Sequence, residues 1–446
     1  MSDYLIRPGR IADTADVAAL QAAVQLQAAT GGQPHPGIAA WVEDLMEGHP
    51  SVTPADFLVA EDTATGRPVA SLVSLRQDWF LDGVRLPAVQ TELVGTAPEH
   101  RGNRLTERLF AALHERYPTA DVPIQMIEGI PYFYRRFGYE YAMANDGAPT
   151  VPASALPTTG PATAPPQTGP LPTRPATTPP QTGSLTMRSA TAADAEDLAA
   201  IDKEIADGPA LVCPRDAAVW RYEIAGRRPE DILRRSVALL LDGTDVRGYV
   251  VHGSRLSTGG LLTVFAAACP DPADWPHAAT TMYAHLNHTG HGFEAGQPFT
   301  AVRLLLGPEH PLAQFGPPGI AARPSGWYIR HTDPADLLTR LQPLLRKRWH
   351  GLRWPEPDLT INTYGRAARL SFTDGELSTV TAVRSPAGPD DHAHIPPGAL
   401  LQLALGHRTI PEVLDTWPDC VLRDRLTEHF LTAAFPRVPI RIWSRG

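Results

Sequence analysis

The feature that most limits what this chain can fold into is an internal repeat. Ala12-Asp-Thr-Ala-Asp-Val-Ala-Ala-Leu20 returns 181 residues later as Ala193-Asp-Ala-Glu-Asp-Leu-Ala-Ala-Ile201, and the same offset carries Arg7 onto Arg188. Each copy reads as a short strand followed by a capped helix. Asp13 stands at the first helix's N-cap, with Val17, Leu20 and Val24 as its apolar stripe; Leu198, Ile201 and Ile205 form the second stripe. A strand pair follows each helix. Phe57–Glu61 and Val69–Leu75 flank a turn at Thr65-Gly66, and Val237–Leu241 and Tyr249–Val251 flank one at Asp242-Gly243. Two copies of one α/β unit is the economical reading.

Between the copies the composition changes. Val151 to Gly183 holds ten prolines and one charge, Arg174. With almost no large apolar side chains, the stretch has nothing to offset the entropy of ordering and reads as an extended linker. A third unit opens near His331. Asp333-Pro334 reads as a helix start, and Leu337, Leu338, Leu341, Leu344 and Leu345 recur at helical spacing. Pro343 should bend or shorten that helix. Strands Leu359–Thr363, Ala368–Phe372 and Leu377–Ala382 follow, with Asp374-Gly375 as a hairpin turn, then helical patterns over Ala399–Ala404 and Val421–Ala434. The expected domains are 1–150, a linker 151–184, 185–330 and 331–446 in an α/β (α+β) chain, in line with 446 residues at roughly 150 per domain.

Composition narrows the function. A net charge of −9 and a sequence pI of about 6.0 argue against the basic face of a nucleic-acid binder. No run of 18 apolar residues marks a membrane span, and Met1-Ser2-Asp3-Tyr4 does not open like a secretory signal. Cys213, Cys269 and Cys420 are too scattered for a disulfide framework or zinc spacing, so a reducing cytoplasm is the expected compartment. No metal is expected. His285, His288 and His291 read as surface residues, with Gly290 ending their helix, and Glu428-His429 lacks the second histidine of a zincin. Arg346-Lys347-Arg348 suits a helix C-terminus.

The informative stretch runs from Thr91 to Tyr141. A strand, Trp79–Leu81, turns at Asp82-Gly83 into a long strand, Val84–Thr96. That strand ends in Ala97-Pro98-Glu99-His100-Arg101-Gly102-Asn103-Arg104, and a helix follows with Leu105, Leu109, Phe110 and Leu113 on its buried face. Strand, glycine-bearing turn and helix start together make an anion site, because free backbone N–H groups and the helix dipole point outward there. Another strand, Val122–Ile127, precedes Pro131-Tyr-Phe-Tyr-Arg-Arg-Phe-Gly-Tyr139.

This order resembles the GNAT N-acetyltransferase superfamily. Its loop pattern, Arg/Gln-x-x-Gly-x-Gly/Ala, cradles the pyrophosphate of acetyl-CoA. Arg101 takes the first position here, but Arg104 stands at the usual glycine and Thr106 at the sixth place. The whole chain is similar to the enhanced intracellular survival type, which joins a GNAT domain, a degenerate GNAT domain and a sterol-carrier-protein-like domain; Trp327-Tyr328-Ile329-Arg330 and Phe435-Pro436 look like that group too. The resemblance implies two tandem mixed-sheet domains, an α+β third domain and a hexameric homo-oligomer. It implies Tyr134 as general acid and the chain's terminal carboxylate, here Gly446, as a base. The second copy continues into Pro270-Asp-Pro-Ala-Asp-Trp-Pro276, with three prolines and no glycine, and reads as structural.

On this reading acetyl-CoA is the co-substrate and the acceptor is an amine-bearing small molecule or a protein lysine. Val94, Gly95 and Thr96 would hold the pantetheine arm and thioester oxygen. Arg101, Gly102, Asn103, Arg104, Leu105 and Thr106 would take the pyrophosphate, with Gly129 and Ile130 completing the cofactor set. Glu92 would receive the amine proton. Trp41 and Phe80 are candidates for apolar walls of the amine pocket. The rival reading is a non-catalytic binding or assembly protein with a degenerate acetyl-CoA site. A tunnel among Leu400–Leu405 would then carry an apolar ligand.

Overall fold

The computed structural model describes residues 3–25, 31–118, 121–144, 147–158, 185–293, 296–331 and 334–442. The first half contributes strands β1 (Tyr4–Pro8), β2 (Phe57–Asp62), β3 (Arg67–Leu81), β4 (Val84–Thr96), β5 (Ile124–Ile127) and β6 (Glu140–Ala144), with helices α1 (Thr14–Val24), α2 (Pro36–Glu47) and α3 (Leu105–Arg116). Asp82 and Gly83 take φ of 50° and 81°, the turn that a two-residue β-hairpin requires. β3 is one unbroken strand across the two segments read as Val69–Leu75 and Trp79–Leu81.

The second half builds β7 (Val151–Pro152), β8 (Thr186–Ser189), β9 (Leu211–Val212), β10 (Arg235–Asp242), β11 (Asp245–Gly253), β12 (Leu261–Ala268) and β13 (Ala301–Leu304) around α4 (Ala195–Ala206), α5 (Ala217–Arg221), α6 (Trp275–Gly292) and α7 (Pro311–Gln314). The repeat is physical. Arg7 donates to both Asp13 oxygens at 2.7 and 2.9 Å, and Arg188 to both Asp194 oxygens at 2.8 and 2.6 Å. Asp13 therefore does more than mark a helix start. It makes no side-chain cap bond to α1; its carboxylate takes Arg7 and the Arg10 N–H.

The halves exchange strands. β14 (Gly326–Arg330) lies between β5 and β6 in the first sheet, while β7 pairs with β13 in the second. The sheet boundaries therefore depart from the expected ones: 326–330 completes the first sheet, and 151–152 is strand rather than linker. Residues 159–184 of the expected linker lie outside the described residues.

The third sheet runs β17 (Glu376–Val383), β16 (Ala367–Thr373), β15 (Asp358–Asn362), β18 (Ala393–His394), β19 (Val421–Leu422). Around it lie α8 (Pro334–Arg340), α9 (Gln342–Arg348), α10 (Pro397–Ala404), α11 (Ile410–Thr416) and α12 (Arg425–Ala434). Pro343 acts as expected: α8 ends at Arg340 and a new helix carries the proline in its first turn. The pattern read over Val421–Ala434 splits into β19 and α12, since the Asp424 carboxylate accepts the Thr427 N–H and starts the helix there. A last strand, β20 (Ile440–Arg441), runs parallel to β9, which pairs in turn with the end of β3. One core joins the three sheets: Trp79 and Leu86, Leu198 and Trp220, Trp327, Leu337, Leu359 and Leu400 share it.

Two histidine expectations fail. α6 runs through Gly290, because that glycine packs against the Phe299 ring, where a Cβ would come within 2.7 Å. His285 is half-buried beside His252 rather than on the surface, and burial pushes its pKa down to about 4. Among the described residues no cluster of metal-ligating side chains occurs.

Candidate active site

β4 and β5 run parallel from Ala88 opposite Ile124 to Thr91 opposite Ile127, and then part. Beyond Thr91, β4 carries no strand on that side among the described residues. It also holds an extra residue against β3: Val73 faces Glu92, but Ser71 faces Gly95. Leu93 sits in this bulge at a φ of 50°. A bulge turns the strand and frees backbone groups from the ladder; Gln25 Nε2 donates to the Val94 carbonyl at 3.0 Å, and the rest of the edge from Glu92 to Thr96 faces no strand on the β5 side among the described residues. The second half repeats the device: Val251 faces Ala266 and His252 faces Val264, with Phe265 as the extra residue. Gly95 has a further task. A Cβ there would lie 2.6 Å from Val24 Cγ2, so its bareness lets α1 close on the strand.

The helix end expected to take phosphates is exposed. Arg101, Gly102, Asn103 and Arg104 are all exposed, whereas Leu105 is buried and contributes only backbone to this end. Arg104 is the N-cap of α3 in a left-handed conformation, φ 56° and ψ 30°, with no side-chain cap bond. The first N–H groups of α3 therefore keep no cap, and two guanidinium groups flank them without an ion-pair partner among the described residues. Thr106 Oγ1 lies 3.5 Å from Thr96 Oγ1, which ties the helix start to the strand end. The one acid in the first turn, Glu107, is bridged to Arg136 at 2.7 Å. The matching turn of the second half is different: Asp271 itself accepts the Ala273 N–H at 2.9 Å, so a carboxylate of the chain fills that position.

Tyr134 lies beyond the end of β5. A 3-10 turn, Phe133–Phe137, begins after Tyr132 and stops at Gly138, both at positive φ. The Tyr132 N–H donates to Tyr328 Oη of the exchanged strand at 3.0 Å, which anchors this turn from the other half of the chain. The Tyr134 ring packs among Phe110, Phe133 and Tyr328. Its hydroxyl makes no hydrogen bond among the described residues. Burial, aided by the charge of Glu92, pushes the phenol up to about 12. Gly129, at φ 152°, passes directly beside this ring, and Ile130 is exposed at the rim.

Glu92 is half-buried, and its pKa is raised to about 8. Loss of water is the main cause; Glu128 adds to it, and a hydrogen bond from Gln90 Nε2 at 2.6 Å opposes it. A carboxylate poised in that range suits proton transfer at neutral pH. Glu92 and Tyr134, 42 positions apart in sequence, are thus brought within electrostatic reach at the open end of the sheet. Gly446 lies outside the described residues. Trp41 is a buried core residue of α2, not the wall of a pocket. Phe80 lines a different cleft of about 1200 Å³, with Gln77, Lys203 and Arg215.

Sequence reading missed Gln90 and Tyr328. Gln90 carried a signal, an amide two positions from Glu92 on an otherwise apolar strand face. Tyr328 stood in the family-like Trp327–Arg330 stretch, but only the strand exchange brings it beside Tyr132.

Comparison with known proteins agrees with this geometry. Residues 5–142 match the family model of the acetyltransferase (GNAT) domain. No curated protein sequence matches the chain. Among solved structures, a GCN5-related N-acetyltransferase from Anabaena variabilis is 14% identical, with a TM-score of 0.66 over 99% of both chains. One from Kribbella flavida is 17% identical, with a TM-score of 0.63 over 99% of this chain and 100% of that one. Eis1 from Mycobacterium abscessus is 16% identical, with a TM-score of 0.58 over 99% of both. At such identities the likeness is one of fold. Residues 5–142 thus match the GNAT acetyltransferase domain, and the chain as a whole shares the fold of these GCN5-related structures, Eis1 among them.

Proposed function

We propose that the chain is an acetyl-CoA-dependent N-acetyltransferase that transfers directly to an amine within a ternary complex. The observation that carries this reading is the Tyr134 hydroxyl, without a hydrogen-bond partner among the described residues, at the parting of β4 and β5 and within the field of Glu92. The N–H groups at the start of α3, with Arg101 and Arg104, would take the pyrophosphate, and the freed edge from Val94 to Thr96 the pantetheine arm. The amine nitrogen attacks the thioester carbonyl, forming C–N as C–S breaks. Glu92 takes the proton lost by nitrogen, and Tyr134 donates its own to the leaving sulfur. A phenol with a pKa near 12 holds that proton at neutral pH. Glu92 and Glu128 together favour a cationic acceptor, a small amine or a protein lysine. The Gly446 carboxylate, implied by resemblance, would be a second base.

The division into a GNAT domain, a degenerate copy and a sterol-carrier-like third domain belongs to this proposal, as do a homo-oligomer and a cytoplasmic setting. The rival, an apolar-ligand carrier, has less support. Leu400, Leu401, Leu403 and Leu405 are at most 2% exposed and packed into the shared core. Titration of acetyl-CoA into the protein by calorimetry, then thiol release with a panel of amines, tests the reading. Binding with amine-dependent release supports it; absence of binding overturns it.

A further inference from the structure

A chain of hydrogen-bonded side chains runs from the boundary between the two halves to Glu92. Trp79 Nε1 donates to Gln77 Oε1 at 2.9 Å, and Cys213 Sγ, from the second half, donates to the same oxygen at 3.3 Å. Gln77 Nε2 donates to Gln90 Oε1 at 2.6 Å, and Gln90 Nε2 donates to Glu92 Oε1 at 2.6 Å. All but Glu92 are at most 4% exposed.

The direction of this chain is fixed by chemistry at its Trp79 end. An indole N–H only donates, so Gln77 must turn its oxygen to Trp79 and its amide hydrogens to Gln90. With its oxygen taken by Gln77, Gln90 has only its amide hydrogens to offer Glu92. Flipping either amide would set donor against donor or acceptor against acceptor. Gln77 and Gln90 are diagonal neighbours on one face of β3 and β4, because Gln77 lies opposite Ala88 and Leu75 opposite Gln90. That face is otherwise apolar, with Trp79, Leu86, Ala88 and Met126 in the shared core. Two buried amides cost stability unless both are satisfied. For filling space alone, leucine or methionine would serve better.

We propose that Gln90 is a positioning residue that holds Glu92 by one oxygen, and that Gln77, Trp79 and Cys213 orient Gln90 in turn. The second half thereby reaches the first half's site through Cys213, the residue after β9. This inference rests on the reading of Glu92 as base, yet part of its test is independent of catalysis.

That test follows the carboxyl carbon of Glu92 by NMR in the full-length, 13C-glutamate-labelled protein, assigned by its loss in Glu92→Gln. In Gln90→Leu the Glu92 titration should move up by about one pH unit, because a donor to the charged form is gone. The kcat/KM for acetyl transfer should fall about tenfold at pH 7 and recover above pH 9. Cys213→Ala, which removes only one of two donors to Gln77, should shift the titration the same way by less. An unmoved Glu92 titration in folded Gln90→Leu overturns the proposal; should that variant not fold, an unmoved titration in Cys213→Ala does so. A shifted titration with an unmoved rate profile instead removes Glu92 from the base role and leaves the relay standing.

Discussion

A Cβ on Gly129 would lie 3.0 Å from Cε2 and 3.3 Å from the hydroxyl oxygen of Tyr134. The loop thus gives up a side chain so that the phenol can lie against its backbone. Gly129→Ala must push the ring aside and adopt an unfavourable φ. Turnover should fall more than tenfold with acetyl-CoA affinity nearly unchanged, and the protein should lose about 1–2 kcal/mol of stability. Steady-state kinetics beside thermal melts read both effects.

Tyr134→Phe separates chemistry from packing. Among the described residues the hydroxyl has no hydrogen-bond partner to lose, so stability should stay within about 0.5 kcal/mol. Turnover should fall by about 10²–10⁴ if this phenol protonates the leaving thiolate. An unchanged kcat in a well-folded variant removes it from that role.

Glu92 makes stability depend on pH in a definite direction. Its folded pKa, about 8, lies above the ordinary 4.5, so its contribution is whole below about pH 4.5 and is lost as pH rises toward 8. Glu92→Gln should match the wild type at low pH and exceed it above pH 8. Since Glu92 is half-exposed, the gain should be at most about 2 kcal/mol. Chemical denaturation at pH 5 and pH 9 measures the difference.

Arg104 holds a left-handed backbone that costs an L-residue about 1 kcal/mol and glycine nothing. Arg104→Gly should raise the melting temperature by a few degrees. Acetyl-CoA affinity should hold, because the N–H groups of α3 remain. A loss of tenfold or more in calorimetry would assign the phosphate grip to the guanidinium.

The Arg188–Asp194 pair is buried on both sides, at 5% exposed for each residue. Asp194→Ala leaves an unpaired buried cation and should cost about 3–5 kcal/mol, with Arg188→Met/Asp194→Leu recovering most of it. The pair holds the Asp194 carboxyl below its usual range, so this stability is present above about pH 4 and lost on acidification through the folded value. Urea unfolding at pH 7 and pH 3 tests both points.

What the sequence disclosed was mostly local or repeated. Asp82-Gly83, Asp374-Gly375 and Pro343 act through their own backbone preferences, and each does so in the structure. Arg7 and Arg188 were paired by offset alone, and their matching carboxylates confirm the repeat. Contacts between distant segments were hidden. Nothing near Trp327 says that it will lie opposite Met143, and nothing at Leu93 announces a positive φ, because a bulge is imposed by the partner strand. Gly290 read as a helix end because the ring that needs its bareness, Phe299, comes later in the chain.

The exchanged strand also bears on how the molecule is made. β14 joins Met126 of β5 to Met143 of β6, yet it is synthesised more than 180 residues after them. On the ribosome the first sheet must wait as an interrupted platform until the second half has emerged. A truncated transcript ending near residue 150 would lack the strand between β5 and β6 and the Tyr328 anchor of the Tyr134 turn, which arrive only with nearly three quarters of the polypeptide.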